Sequence, residues 1–268
     1  MIKYLLNIKR FLGKRLRKFI TYLRRRYDIW KYSGFKPNHV FNISVDDISF
    51  KMTFKDYKLD FTIIERIEGR REPNTTVLIK ALVTKGKNVL QIGGCYGYFA
   101  NIMSCCAGDK GKVVSIEGTP NNFEILSENI KMNNLTNVRA YKFFVGSGNE
   151  NIYFDKNERN PYKAIDRFKG RIFPKEMIAV PVSKLTDFLK EIDYHPDIIF
   201  MDIEGFEMDV FEDFYAQGYL KKEKPVIVFE LHPLSYTKGR DLDFIRNFLA
   251  ENNYYTRQSE TNLICFPQ

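Results

Sequence analysis

The stretch that most constrains the fold is residues 88–100, NVLQIGGCYGYFA. Val89, Leu90 and Ile92 form a short apolar run that stops at Gly93, Gly94 and Gly97, and Tyr98, Phe99, Ile102 and Met103 then recur at helical spacing. The pattern predicts a strand, a tight glycine turn and a helix. Glycines let the backbone approach a ligand closely, and a helix start presents unpaired N–H groups to a polar or anionic group. About twenty residues further on, the run 112–116, KVVSI, ends at Glu117, where a carboxylate suits the two hydroxyls of a ribose. Turn and carboxylate together point to a nucleoside-containing cofactor.

The segments that follow repeat the alternation. Residues 121–133 carry Phe123, Leu126, Ile130 and Met132 at helical spacing, and 138–145, VRAYKFFV, reads as a third strand with Gly146, Ser147 and Gly148 as its turn. Strand and helix in alternation imply a parallel sheet covered on both sides, with the ligand at the carboxyl ends of the strands. Residues 155–175 break this rhythm with scattered basic and aromatic residues, and read equally as a binding lid or as a surface insertion.

A second chemical stretch is 197–207, DIIFMDIEGFE, where a buried strand delivers Asp202, Glu204 and Glu207 to one end. Carboxylates crowded there repel one another unless a cation, a donor or a proton intervenes, so at least one should titrate away from its ordinary value. Glu204 or Glu207 could instead serve the dipole of the following helix. The next apolar run, 225–230, brings Glu230 and His232 to the same edge, where an imidazole is either a proton acceptor or a structural residue. A helix over 241–251 and a hairpin of 254–256 with 263–266 close the chain, an antiparallel pair on an otherwise parallel sheet.

The flanks narrow the function classes. Hydrophobic residues make up 44% of the 268, enough for one α/β core with modest additions. Four cysteines without a C-x-x-C pair and three histidines argue against a zinc site and for reduced thiols, hence a cytoplasmic setting. The net charge of +9 is concentrated in residues 1–34, where eleven lysines and arginines face Asp28 alone. Leu5, Ile8, Leu12, Leu16, Phe19, Leu23, Tyr27 and Trp30 follow steps of three and four through that leader, which predicts a basic amphipathic helix. Its apolar runs fall short of the roughly 18 to 20 residues of a spanning helix. Such a helix can lie on an anionic membrane surface, or dock its apolar side on its own domain or on a second subunit. The remainder is nearly neutral and lacks the basic face that nucleic acid requires. Residues 40–62 alternate as a small antiparallel β element, and after a break at 72–76 the run 77–82 is helical. The expected division is therefore 1–34, 35–84 and 85–268.

Together, GGCYGYFA, SIEGTPNNFEILSENIKMNN, VPVSKLTDFL, IIFMDIEGFE and IVFELHP resemble the FkbM-type family of S-adenosylmethionine-dependent methyltransferases over about residues 72–267. The resemblance implies an α/β, Rossmann-like class I methyltransferase fold, with a mostly parallel seven-stranded sheet and a terminal antiparallel hairpin. It also implies S-adenosylmethionine as cofactor and O-methylation, commonly of sugar hydroxyls on glycans or natural products. Carried over by position, Gln91, Gly93, Gly94, Cys95, Tyr96 and Gly97 hold the methionine end of the cofactor, Glu117 the ribose, with Gly118 beside it. Asp202 and Glu204 fall on the family's aspartate-x-glutamate-glycine motif, near the transferred methyl. One departure is Gln91, where the family usually has aspartate. On this reading His232 or Asp202 accepts the hydroxyl proton and Glu204 orients the acceptor, a glycan, glycolipid or small molecule. A divalent cation between Asp202, Glu204 and Glu230 would do similar work by lowering the hydroxyl pKa. Two other classes stand beside this one. A nicotinamide dehydrogenase needs glycines where the chain has Cys95 and Tyr98, which counts against it. A catalytically silent methyltransferase fold acting as a membrane-surface adaptor is the stronger rival, given Gln91 and the leader.

Overall fold

From the amino end, helix α1 (Lys14–Tyr32) leads into a hairpin of β1 (Val40–Val45) and β2 (Ile48–Thr53), then helices α2 (Phe61–Ile67) and α3 (Pro73–Leu82). A computed structural model of the chain describes residues 14–36, 38–55, 59–148, 150–155, 177–236 and 241–268. Leu5, Ile8 and Leu12 of the leader, and residues 156–175 of the expected insertion, lie outside the described residues. The β3 strand (Asn88–Ile92) follows, then α4 (Tyr98–Ala107), β4 (Lys112–Ile116), α5 (Pro120–Met132) and β5 (Val138–Tyr141). Short strands β6 (Phe144–Val145), β7 (Glu150–Asp155) and β8 (Met177–Ser183) precede α6 (Leu185–Glu191), β9 (Ile198–Met201), α7 (Glu207–Gln217) and α8 (Tyr219–Lys222). The chain ends with β10 (Val226–Glu230), α9 (Leu242–Glu251), β11 (Tyr254–Ser259) and β12 (Asn262–Pro267).

The main sheet has seven strands in the order β11-β12-β10-β9-β3-β4-β5. Strands β5, β4, β3, β9 and β10 run parallel, while β12 pairs antiparallel with both β10 and β11. This is the Rossmann-like class I methyltransferase fold, with the closing hairpin where the sequence puts it. Helices cover both faces, as strands buried on two sides require. On one face Val89, Ile102 and Ile125 share a core with Phe41, Ile43 and Met52 of the hairpin and Ile79 of α3. On the other, Leu90 and Ile92 pack with Phe211, Phe214, Phe229 and Phe248.

Two expectations need correction. The run 138–145 is not one strand: β5 stays in the main sheet, whereas β6 pairs in parallel with β8 in a separate three-stranded sheet of order β6-β8-β7. Lys142 and Phe143 lie between the two strands, and the Phe143 ring packs on Phe188 of α6, with ring centres 4.6 Å apart. The alternation over 40–62 also ends early, at Thr53. Asp60 accepts from Thr62 and Ile63 N–H and so caps a helix instead.

Helix α1 meets the body through its polar edge. Asp28, 4% exposed, accepts from Arg70 at 2.8 Å, and Lys31 pairs with Glu68 at 3.1 Å. The Arg25 guanidinium lies 4.1 Å from the Phe61 ring centre, and Tyr32 is buried beside Phe41. Leu16, Phe19, Leu23, Tyr27 and Trp30 stay exposed.

Candidate active site

The site begins with strand register. Ile92 lies level with Ile116 of β4 and with Met201 of β9, so the residues that follow all three strands emerge side by side. These are Gly93, Glu117 and Asp202. The Asp202 N–H donates to the Ile92 carbonyl at 3.0 Å, and a Cβ on Gly93 would stand 2.1 Å from the Asp202 carbonyl oxygen. With φ at 92°, position 93 tolerates glycine alone. The acidic strand end is thus pressed against the glycine turn. Both face one cavity of about 440 Å³.

Of the residues expected to hold the cofactor, Gly93, Cys95, Glu117 and Gly118 line that cavity. The Glu117 carboxylate braces the turn, accepting from the Cys95 and Thr119 N–H groups at 2.7 Å each. Burial raises its pKa, and those two backbone donors hold the rise back. Gln91, Gly94, Tyr96 and Gly97 do not reach the cavity lining. Gln91 is buried behind the turn, where Ser115 Oγ donates to its Oε1 at 3.0 Å, and it borders a small void of about 40 Å³ with Glu72, Asp202 and Glu230. The Tyr96 ring packs edge-on against Phe54. Gly94 and Gly97 let Leu126 of α5 close on the turn.

All three expected catalytic residues line the cavity. Glu204 and Gly205 both have positive φ, 55° and 104°, and a Cβ on Gly205 would stand 2.3 Å from Ser235 Cβ, so the aspartate-x-glutamate-glycine turn requires its glycine. Beyond β10, the His232 Nε2 lies 3.7 Å from Asp202 Oδ1 and 3.5 Å from Glu204 Oε2. Its Nδ1 is 3.0 Å from Oε1 of Glu207, which is wholly buried as the first residue of α7. Glu207 therefore orients the imidazole, a role the sequence hides because a glutamate at a helix start already has a dipole reading. The Glu207 hydrogen bond raises the His232 pKa to about 9 against the opposing effect of burial, so the ring is imidazolium at neutral pH before any ligand enters. Asp202 has 45% of its side-chain surface open, yet that surface faces the cleft. Burial there, then Glu230, Glu72 and Glu204, push its carboxyl up to about 7.

Donor atoms of Asp202, Glu204 and His232 lie within 4.8 Å of one another, as do those of Glu72, Asp202 and Glu230. Sequence reasoning did not anticipate Arg66 and Arg71, from α2 and the connection to α3, in the cavity wall. Arg71 pairs with Glu65 at 3.5 Å and with Glu72. A helical arginine at 66 and another at 71, just before Glu72 and Pro73, are too common as surface residues to be singled out from sequence.

Residues 91–255 match the methyltransferase FkbM domain. A protein-L-isoaspartate O-methyltransferase from Thermotoga maritima is 40% identical over 81 residues, which are 30% of this chain and only 23% of that protein's length. Among solved structures, the O-methyltransferase from Bacillus cereus in complex with SAH aligns over 74% of this chain and 82% of its own, at 17% identity and a TM-score of 0.46. TomG from Streptomyces achromogenes, an O-methyltransferase involved in tomaymycin synthesis and solved with SAM, aligns over 73% and 80%, at 14% identity and a TM-score of 0.46. The FkbM match runs from the glycine turn through the acidic strand end into the closing hairpin and takes in more than half of the chain. The protein therefore belongs to the FkbM family of methyltransferases.

Proposed function

We propose that this methyltransferase transfers the methyl group of S-adenosylmethionine to a hydroxyl oxygen, on a sugar of a glycan or glycolipid presented at an anionic membrane surface. The observation that carries the reading is the level register of β4, β3 and β9, which sets Glu117, Gly93 and Asp202 around one cavity. Gly93 and Cys95 support the methionine end of the cofactor, and Glu117 and Gly118 the ribose. The sulfonium already activates the methyl, so the protein has to hold the hydroxyl in line and accept its proton. Gln91 brings no charge to the turn. Glu72, Asp202 and Glu230, with oxygens within 4.8 Å, supply a negative field for the cofactor's cationic groups in its place.

That field also assigns the proton. A cation beside the cluster relieves repulsion among the carboxylates and lowers the Asp202 pKa from about 7, so Asp202 is ionised and ready to accept the hydroxyl proton. Glu204 orients the acceptor. His232, fixed by Glu207, holds a positive charge toward both carboxylates. A divalent cation on Asp202, Glu204 and His232 is the competing way to activate the hydroxyl, and it would need His232 as a neutral imidazole.

The test is Asp202→Ala, assayed with methyl-labelled cofactor against membrane-glycolipid extracts. Calorimetry should still show cofactor binding, weakened by the loss of one carboxylate from that field, while transfer at saturating cofactor falls by about 100-fold or more. The label should survive alkali, as a methyl ether does. Alkali-labile label would mark a carboxyl ester and overturn the hydroxyl assignment. Normal turnover in the variant would remove Asp202 from the mechanism, and loss of wild-type activity with a chelator would move activation to a metal. No heat with S-adenosylmethionine would leave the silent adaptor as the reading.

Support for the membrane address comes from α1. Its polar edge is spent on the body through Asp28 and Lys31, while Leu16, Phe19, Leu23 and Trp30 face outward amid the leader's basic residues. Apolar side chains flanked by lysine and arginine suit the headgroup layer of an anionic bilayer. No described helix is long and apolar enough to cross a membrane.

A further inference from the structure

The two arginines in the cavity wall are in opposite electrostatic situations. Arg71 is already paired with Glu65 and Glu72. Arg66, in the last turn of α2 and 9% exposed, has no carboxylate within ion-pairing distance among the described residues. Its Nη1 donates to the Thr62 carbonyl at 3.0 Å, and its guanidinium carbon lies 5.3 Å from the centre of the Tyr96 ring. Among the described residues, the other terminal nitrogen, Nη2, has only the Cys95 sulfur, at 3.7 Å. That sulfur is no anion, because burial pushes the Cys95 thiol up to about 11. Glu72 attracts the guanidinium only from beyond ion-pairing distance, so Nη2 meets a neutral thiol where an anionic acceptor would offset its desolvation.

Its position says what the acceptor is. Cys95 and Tyr96, which Arg66 touches, are the crest of the glycine turn, and Arg66 and Cys95 line the same cavity. Asp202 and Glu230 make another part of the wall acidic, with Glu72 beside them, and would repel a carboxylate. We propose that Arg66 receives the α-carboxylate of the methionine moiety of S-adenosylmethionine, while the acidic wall takes the ammonium and sulfonium. The assignment rests on the reading that the cofactor lays its methionine end on this turn. A guanidinium held by its own i−4 carbonyl and by an aromatic face is a preorganised fork for a carboxylate. It sorts the cofactor's one anionic group from its two cationic ones and so fixes which way round the molecule enters.

The experiment compares S-adenosylmethionine with its decarboxylated form, which keeps ammonium and sulfonium, by calorimetry on the full chain. Wild type should prefer the carboxylated ligand by about 10- to 100-fold, as expected for a hydrogen-bonded charge pair. Arg66→Met should erase that preference by weakening S-adenosylmethionine while leaving the decarboxylated ligand within about twofold, and Arg66→Lys should restore part of it. Retained affinity for the decarboxylated ligand also certifies that the variant's turn is intact. Equal weakening of both ligands would make Arg66 a prop for the turn and overturn the assignment. So would an unchanged preference, or a variant that loses only acceptor affinity. If wild type bound neither ligand, the cofactor reading itself would fall and take this assignment with it.

Discussion

His232 shows how one hydrogen bond decides the charge of the site. A carboxylate at Nδ1 stabilises the imidazolium, burial opposes it, and the hydrogen bond to Glu207 is the larger effect, so the pKa rises to about 9. Removing that carboxylate reverses the sign. In Glu207→Gln, burial and the weaker attraction of Asp202 and Glu204 remain, and the His232 pKa should fall by about one unit or more toward its ordinary 6.5. The chain has three histidines, so the imidazole C–H resonances can be followed individually by NMR through the titration. A His232 resonance that titrates at the same pH in wild type and Glu207→Gln would show that Glu207 does not set its charge.

At the scale of elements, the hairpin is tied to the glycine turn by one side chain of α5. The wholly buried Asn129 accepts from the Thr53 N–H at 2.8 Å and donates to the carbonyls of Thr53, at 3.1 Å, and Tyr96, at 2.8 Å. One turn on, Asn133 does the same for Lys51, so two asparagines four apart close the free edge of β2. Asn129→Ala takes a side-chain partner from three buried backbone groups and should cost about 2–4 kcal/mol in denaturant unfolding. A loss under about 1 kcal/mol would mean that the hairpin relaxes onto other partners.

These elements also divide what the sequence discloses from what it hides. Strands β3, β4, β9 and β10 are readable because each is an apolar run that ends abruptly at a residue of the cavity wall, Gly93, Glu117, Asp202 or Glu230. The split of 138–145 is not, since β6 leaves the main sheet for β8, more than thirty residues away along the chain, and no local pattern encodes that pairing. Asn129 and Arg66 are hidden for the same reason. Their partners, Thr53 and Cys95, are distant in sequence, and a helical asparagine or arginine reads locally as solvated. The sequence likewise reveals the stripe on α1 but not the choice of docking edge, which Asp28 and Arg70 make by pairing across the fold.

For the whole molecule, the consequence of that choice is an asymmetric particle: a nearly neutral catalytic body with a basic helix whose apolar side faces away from it. The body has satisfied its own core without using Leu16, Phe19, Leu23 or Trp30, so some other surface must account for them. Each lysine or arginine near an anionic bilayer contributes about 1 kcal/mol, which makes the leader's excess charge a large driving force at low salt. Trp30 is the chain's single tryptophan and is 71% exposed, so its emission reports directly on the stripe. Vesicles containing phosphatidylglycerol should shift that emission to the blue and carry the protein upward in flotation. Phosphatidylcholine alone should do neither, and raising salt to about 0.5 M should release most of the bound protein. Phe19→Glu should weaken vesicle binding by about tenfold or more, because it places a charge where an apolar ring would enter the interface. If Trp30 instead shifts with protein concentration and without lipid, a second copy of the chain covers the stripe and the membrane reading fails.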